Sequence, residues 1–263
     1  MAANRWRISS INLSRSVPMA SQTEDIRAHA GPSLFALAIV HTLLVVASIV
    51  SGMLLKQGAT VVNPYSPADE ARRFFADNPI AIRVSTFFLF GSSVPLGIYA
   101  ATVASRLRFL GVRAAGSYIA LFGGFAASIA LTMSGLCGWV LSVPEVSASL
   151  TATRVLHFVT LLFGGTFFAV AFGLLAAGVS VTGHFFHLLP RWLVWFGILI
   201  AAAGELASLS LLTQPAAVLI PVVRFCGFVW LTAVGATLPK TVRTIETPSI
   251  SIDKPIAPRT EAA

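Results

Sequence analysis

The chain is poor in charge and in cysteine. Of its 263 residues only 11% are Asp, Glu, Lys or Arg, and Cys137 and Cys226 are its two cysteines. Two thiols set in apolar stretches, with no CxxC spacing, support neither a disulfide framework nor a zinc site. No GxSxG, HExxH or Walker sequence occurs, so the hydrolases and nucleotide-binding proteins that carry those motifs are not indicated. The N-terminal segment holds Arg5, Arg7, Arg15 and Arg27 but no continuous apolar core, and no cleavable signal peptide is expected. Lys and Arg outnumber Asp and Glu by 18 to 10, yet they are scattered among short loops without interleaved aromatics. Nucleic acid is therefore not an expected partner.

What the chain has instead is apolar surface. It is 56% hydrophobic with a mean hydropathy of +0.83, more than a soluble domain can hide. Runs long enough to cross a bilayer fall at Ser33–Leu55, Ile80–Ser105, Ala114–Val143, Val155–Val181, Trp192–Thr213 and Ala216–Leu238. Backbone groups in lipid must be satisfied within their own segment, so all six runs read as helices. The expected fold class is all-α, a polytopic membrane bundle of six transmembrane helices. The expected organisation is a cytoplasmic segment over 1–32, the bundle over 33–239 with an external loop at 56–79, and a disordered cytoplasmic tail over 240–263 rich in Pro, Ser and Thr.

Loop charge orients the bundle. The N-terminal segment, the Arg106–Arg113 loop, the His184–Arg191 loop and the tail carry twelve Lys or Arg, against Lys56, Arg72, Arg73 and Arg154 on the alternate side. The positive-inside rule then puts both termini in the cytoplasm. In the external loop, Ser66–Pro67–Ala68–Asp69 predicts a capped helix start, with Pro67 at the first position and Asp69 facing the helix N-terminus. The amphipathic helix that follows ends before Asn78–Pro79, and Phe74 and Phe75 would rest on the membrane or roof the bundle.

Charges inside the spans are the candidate functional residues. Glu205 lies nine residues before Gln214 and Arg224 nine after Pro215, so in an antiparallel hairpin both reach a depth of about 12–13 Å. An isolated charge there costs at least about 2.5–3.5 kcal/mol, which pairing would offset. The expectation is a Glu205–Arg224 ion pair. Arg83 near the start of the second span and His157 near the start of the fourth lie in the same outer half. Arg83 shares a helical face with Thr86, Phe90, Ser93 and Gly97, and His157 shares one with Arg154, Thr160 and Gly164. Arg83, His157, Glu205 and Arg224 together would wall a positively charged pocket for a small anionic or amphiphilic ligand. The competing reading is structural: the ion pair sets hairpin register and the arginines snorkel to the headgroups.

No cofactor is expected. His41 lies about 12 Å from the cytoplasmic side and His157 about 5 Å from the outer one, so across roughly 30 Å of hydrocarbon they are too far apart to share a haem. His184 and His187 have no nearby Asp, Glu or Cys to complete a metal site. His41 and Thr42 read as interhelical hydrogen-bonding residues. Gly116, Gly123, Gly124, Gly164, Gly165 and Gly173 stand among other small residues that permit close helix approach. They would serve packing within the bundle, a membrane-protein partner or a homo-oligomer. Ser92–Ser93–Val94–Pro95–Leu96–Gly97 in the second span predicts a kink, because Pro95 removes a backbone donor.

Leu189–Pro190–Arg191–Trp192–Leu193, Gly204–Glu205–Leu206, Arg224–Phe225 and Leu238–Pro239–Lys240, with Asn78–Pro79–Ile80, Arg83 and Tyr99, carry a likeness. In these stretches the chain resembles a bacterial family of six-helix integral membrane proteins known as a domain of unknown function. The resemblance implies architecture and a bacterial inner membrane, and makes Arg83, Glu205 and Arg224 family features. It implies no activity. Besides ligand binding, two further functions stay open: a partner-interaction module without ligand, and a lipid-modifying membrane enzyme.

Overall fold

The computed structural model describes residues 24–58 and 62–245. The chain divides into two compact units, Met1–Arg27 with Val242–Ala263, and Ala28–Thr241. The described part of the first belongs to a two-stranded sheet of β1 (Glu24–Ala28) and β2 (Thr241–Ile245). This corrects the expected tail at its start: residues 241–245 gain partners for their backbone groups by pairing with β1. The remainder of that tail and most of the N-terminal segment lie outside the described residues.

The second unit is helical. Its elements are α1 (Leu34–Leu55), α2 (Ala68–Asp77), α3 (Pro79–Phe109), α4 (Gly116–Val140), α5 (Pro144–Ala148), α6 (Leu150–Leu161), α7 (Phe168–Phe185), α8 (Arg191–Leu206) and α9 (Leu219–Thr237). A π-helical turn, Leu162–Phe167, joins α6 to α7 in one continuous rod. Two 3₁₀ segments, Ala207–Leu211 and Gln214–Val218, form the α8–α9 hairpin end. Six helical stretches are long and apolar enough to cross a membrane: 34–55, 79–109, 116–140, 150–185, 191–211 and 214–237. Each lies within a few residues of its expected run, except that the fourth is longer at both ends.

The spans close into a ring in chain order. Each of α1, α3, α4, α7, α8 and α9 packs on the next, and α9 returns to α1. Its centre is filled by fully buried Tyr99, Leu131, Phe168, Phe172 and Trp230. Tyr99 donates its hydroxyl to the Leu231 carbonyl (3.1 Å) and Trp230 its indole N–H to the Leu193 carbonyl (3.3 Å). These two bonds let large amphipathic rings be buried without stranding a donor.

Small residues set how closely the helices approach. A Cβ at Gly123 would stand 2.5 Å from the Leu175 backbone nitrogen, and one at Gly178 would stand 2.5 Å from that of Ala120. The α4–α7 seam is therefore a backbone-to-backbone contact, and the glycine-rich faces are used up inside the chain. Along α3–α4 the antiparallel register brings Thr86 to Gly138, Phe90 to Gly135 and Gly97 to Ser128.

Pro95 lies inside α3. Nearby, the Ser92 carbonyl accepts from His41 Nδ1 (2.8 Å) and the Ser93 carbonyl from Ser128 Oγ (2.7 Å). The helix runs on unbroken through Pro95, and this stretch is tied to both neighbours. His41 makes the interhelical bond its setting suggested, while Thr42 Oγ1 is buried without a partner.

α2 forms as the loop composition indicated, with Asp69 and Glu70 in its first turn. The Ser66 cap does not. Pro67 occupies the N-cap position with no side-chain bond, and the Ser66 hydroxyl accepts from the Asn63 N–H instead (3.2 Å), closing the turn that leads into the helix. Phe75 is buried and Phe74 partly so. At the other end, buried Asn78 accepts from the Gln57 N–H and donates to the Phe74 carbonyl (2.8 Å). Asn78→Ala should cost about 1–3 kcal/mol, because it strands both backbone groups, and thermal unfolding in detergent should show the loss.

Candidate functional site

Two of the four pocket residues come together. His157 and Arg224 line one cavity of about 290 Å³, with Pro64 from the loop before α2, Leu89 on α3, Ser134 on α4, Thr160 and Leu161 on α6, Gly164 and Gly165 on the π turn, and Ile220 on α9. Arg224 is the one cation in this lining and no carboxylate joins it.

The π turn shapes the floor. Bonding five residues apart widens the helix and redirects its carbonyls, and the Gly164 carbonyl accepts from Arg224 Nη2. The guanidinium also lies over the Phe168 ring, 5.0 Å from its centroid, a favourable cation–π arrangement. Arg224 is only partly buried by area, yet its Nε is shut off from solvent and has no hydrogen-bond partner. A buried, unpaired guanidinium N–H is costly unless something occupies the space beside it.

His157 is 8% exposed, edge-on to Phe75 at 4.9 Å, with Nδ1 buried and unpartnered. Ser134 donates to the Thr160 carbonyl (3.1 Å) and Thr160 to the Leu156 carbonyl (2.8 Å), so both hydroxyl oxygens can still accept. The loop carrying Pro64 is pinned beside the cavity: Arg154 Nη1 donates to the Ser66 carbonyl, and Tyr65 packs edge-on against Phe158 at 5.6 Å.

Arg83 and Glu205 are corrections. Arg83 is exposed and lines a separate groove between α3 and α4. Its Nε donates to Ser142 Oγ (3.1 Å), while its predicted face-mates Thr86, Phe90 and Gly97 pack against α4. Glu205 is exposed and lines neither space. The Glu205–Arg224 ion pair does not form; Arg224 turns to Gly164 and Phe168. Equal distance from the turn sets equal depth but not direction. The 3₁₀ segments on both sides of that turn advance about 120° per residue rather than about 100°, and Gly204 already takes the inward face of α8 against Ala169.

Several features of the cavity escaped sequence reasoning. Ser134, Pro64 and Ile220 carry no signal of their own. The doublet Gly164–Gly165 was a visible mark of the π turn, but it reads equally well as a packing motif. His184 and His187 stay at the α7–α8 turn, where His187 Nδ1 meets the His184 carbonyl (3.0 Å). Among the described residues no group of three or more His, Cys, Asp or Glu gathers to hold a metal. No family model, no curated protein and no solved structure matches the chain.

Proposed function

We propose that this chain is a multi-pass protein of a bacterial inner membrane that binds a small anionic or amphiphilic ligand in the His157–Arg224 cavity. One observation carries the reading: Arg224 is the one cation lining the cavity, and no carboxylate joins it there. An anion there would gain a charge-assisted hydrogen bond in a low-dielectric setting. A volume near 290 Å³ is at the lower end for ligand sites, about 300–1,000 Å³. The volume suits a carboxylate or phosphate of modest size, with any apolar tail leaving between helices.

The bacterial source and the kinship with a six-helix family rest on the resemblance of the short motifs. The orientation, with both termini inside and the cavity in the outer half, rests on loop charge. Under that topology a cysteine at Ser66 reacts with an impermeant maleimide in intact cells and one in the tail does not; the reverse pattern refutes it.

The partner-module reading is weakened by one fact: Gly116, Gly123, Gly124 and Gly173 already face other helices of this chain. A lipid-modifying enzyme would need an acid or base beside a nucleophile, and the Ser134 and Thr160 hydroxyls both donate to backbone carbonyls.

The binding test is a titration of the purified full chain in detergent with phosphate, hexanoate and hexylammonium, followed by calorimetry and thermal unfolding. The proposal requires saturable binding of at least one anion and none of the ammonium. Equal responses to hexanoate and hexylammonium would show that only the apolar tail is being bound.

A further inference from the structure

A second cavity lies away from the His157–Arg224 site, on the flank of α3 and α4. It is an open groove of about 650 Å³ whose walls are almost wholly apolar, with Phe87, Phe90, Leu136 and Trp139 prominent. Arg83 is its one charged residue and no acid lies opposite. Phe87, Phe90, Leu136 and Trp139 are all exposed, so the groove faces outward rather than into the helix ring.

Two contacts hold the guanidinium in place. Arg83 Nε donates to Ser142 Oγ (3.1 Å) and Nη2 approaches the Ser142 carbonyl (3.5 Å). Both go to one residue, so the rest of its five N–H donors remain for a ligand. The α3 stretch from Arg83 to Phe90 runs along the groove for about 10 Å, roughly two-thirds of one leaflet's hydrocarbon depth. Arg83 is the fifth residue of α3, at the end of the span where headgroups meet the chain. Trp139 lies at the corresponding end of α4, the position such rings take at the membrane interface.

One fixed cation at the interfacial end of an apolar trough matches an amphiphile with an acidic head. We propose that this groove is a binding site for an anionic phospholipid, its phosphate on Arg83 and an acyl chain along Phe87, Phe90 and Leu136. The site is independent of the His157–Arg224 cavity, so either can fail while the other stands. A zwitterionic lipid would fill the same trough, but its ammonium would weaken the attraction to Arg83. Headgroup preference is therefore the diagnostic property.

The probes are phosphatidylglycerol and phosphatidylcholine with the same acyl chains, competed for the full-length protein and read by native mass spectrometry. The wild type should favour phosphatidylglycerol about fivefold, the scale of one basic side chain at a membrane surface. Arg83→Gln should remove the preference and Arg83→Lys should keep most of it. Leu136→Trp fills the trough without touching the charge and should lower phosphatidylglycerol occupancy. Phosphatidylglycerol with brominated acyl chains should quench a fluorescence component that Trp139→Phe eliminates. Equal binding of both lipids by the wild type overturns the proposal, as does an undiminished preference in Arg83→Gln. If Arg83→Gln does not fold, full phosphatidylglycerol occupancy in Leu136→Trp overturns it equally.

Discussion

Replacing Gly178 or Gly123 with leucine is expected to abolish the folded protein in detergent. At each position even a Cβ would stand 2.5 Å from a backbone nitrogen of the facing helix, Ala120 or Leu175. Backbone cannot step aside as a flexible side chain can, so α4 and α7 would have to separate along their whole seam. Ordinary overpacking costs about 1–3 kcal/mol. A forced helix separation should exceed that, which is a large part of the roughly 5–15 kcal/mol that holds a typical domain together. Gly91→Ala supplies the contrast, since its Cβ would meet only Leu44 Cδ1 at 4.0 Å. It should leave the elution profile and the melting temperature nearly unchanged. A monodisperse, thermally stable Gly178→Leu protein would show that the seam is not as close as described.

Arg224→Met should separate stability from binding. The substitution removes a buried cation whose Nε has no partner. The lost bond to the Gly164 carbonyl costs about 1–3 kcal/mol, and relief of the buried charge should offset it, since exchanging buried ions for apolar groups is often neutral or stabilising. Folded yield should hold. Anion affinity should fall at least about 100-fold, because truncating one member of a buried charge pair costs about 3–5 kcal/mol. Glu205→Gln, at an exposed position with no part in the cavity, should change neither quantity. The two substitutions should therefore add, as distant sites do. A strong coupling between them in a double-mutant comparison would restore the ion pair that the geometry rejects.

The contrast between Glu205 and Arg224 shows which parts of this protein its sequence makes legible. Span number and position follow from apolar length, because lipid forces every backbone group to be satisfied within its own helix. The His157 face was readable in part: Thr160 lines the cavity with it, as a regular α-period places it, and Gly164 does so from the π turn beyond. That period runs true only to Leu161, where the π turn begins. Direction failed wherever the helix changed type. Counting residues from Gln214–Pro215 gave Glu205 and Arg224 one depth, but the 3₁₀ turns at Ala207–Leu211 and Gln214–Val218 altered their facing. Arg83 failed for a different reason. Thr86 and Phe90 do lie on its face, but that face meets Gly138 and Gly135 of α4, and periodicity does not say which neighbour a face will meet. The β1–β2 pair joins residues more than two hundred positions apart, and no local pattern announces it.

The proposed function requires an anion-attracting, water-accessible cavity organised around Arg224. Its most direct test places a cysteine at Thr160, a lining residue, in a chain whose Cys137 and Cys226 have been replaced by alanine. Reaction with an anionic and a cationic methanethiosulfonate of similar size is then compared in the presence and absence of Arg224→Met. The account predicts that the anionic reagent reacts about tenfold faster or more, as field focusing in a charged cleft allows, and that Arg224→Met brings the two rates together. Failure of both reagents to label the introduced cysteine, or a rate ratio that survives the loss of Arg224, would contradict it.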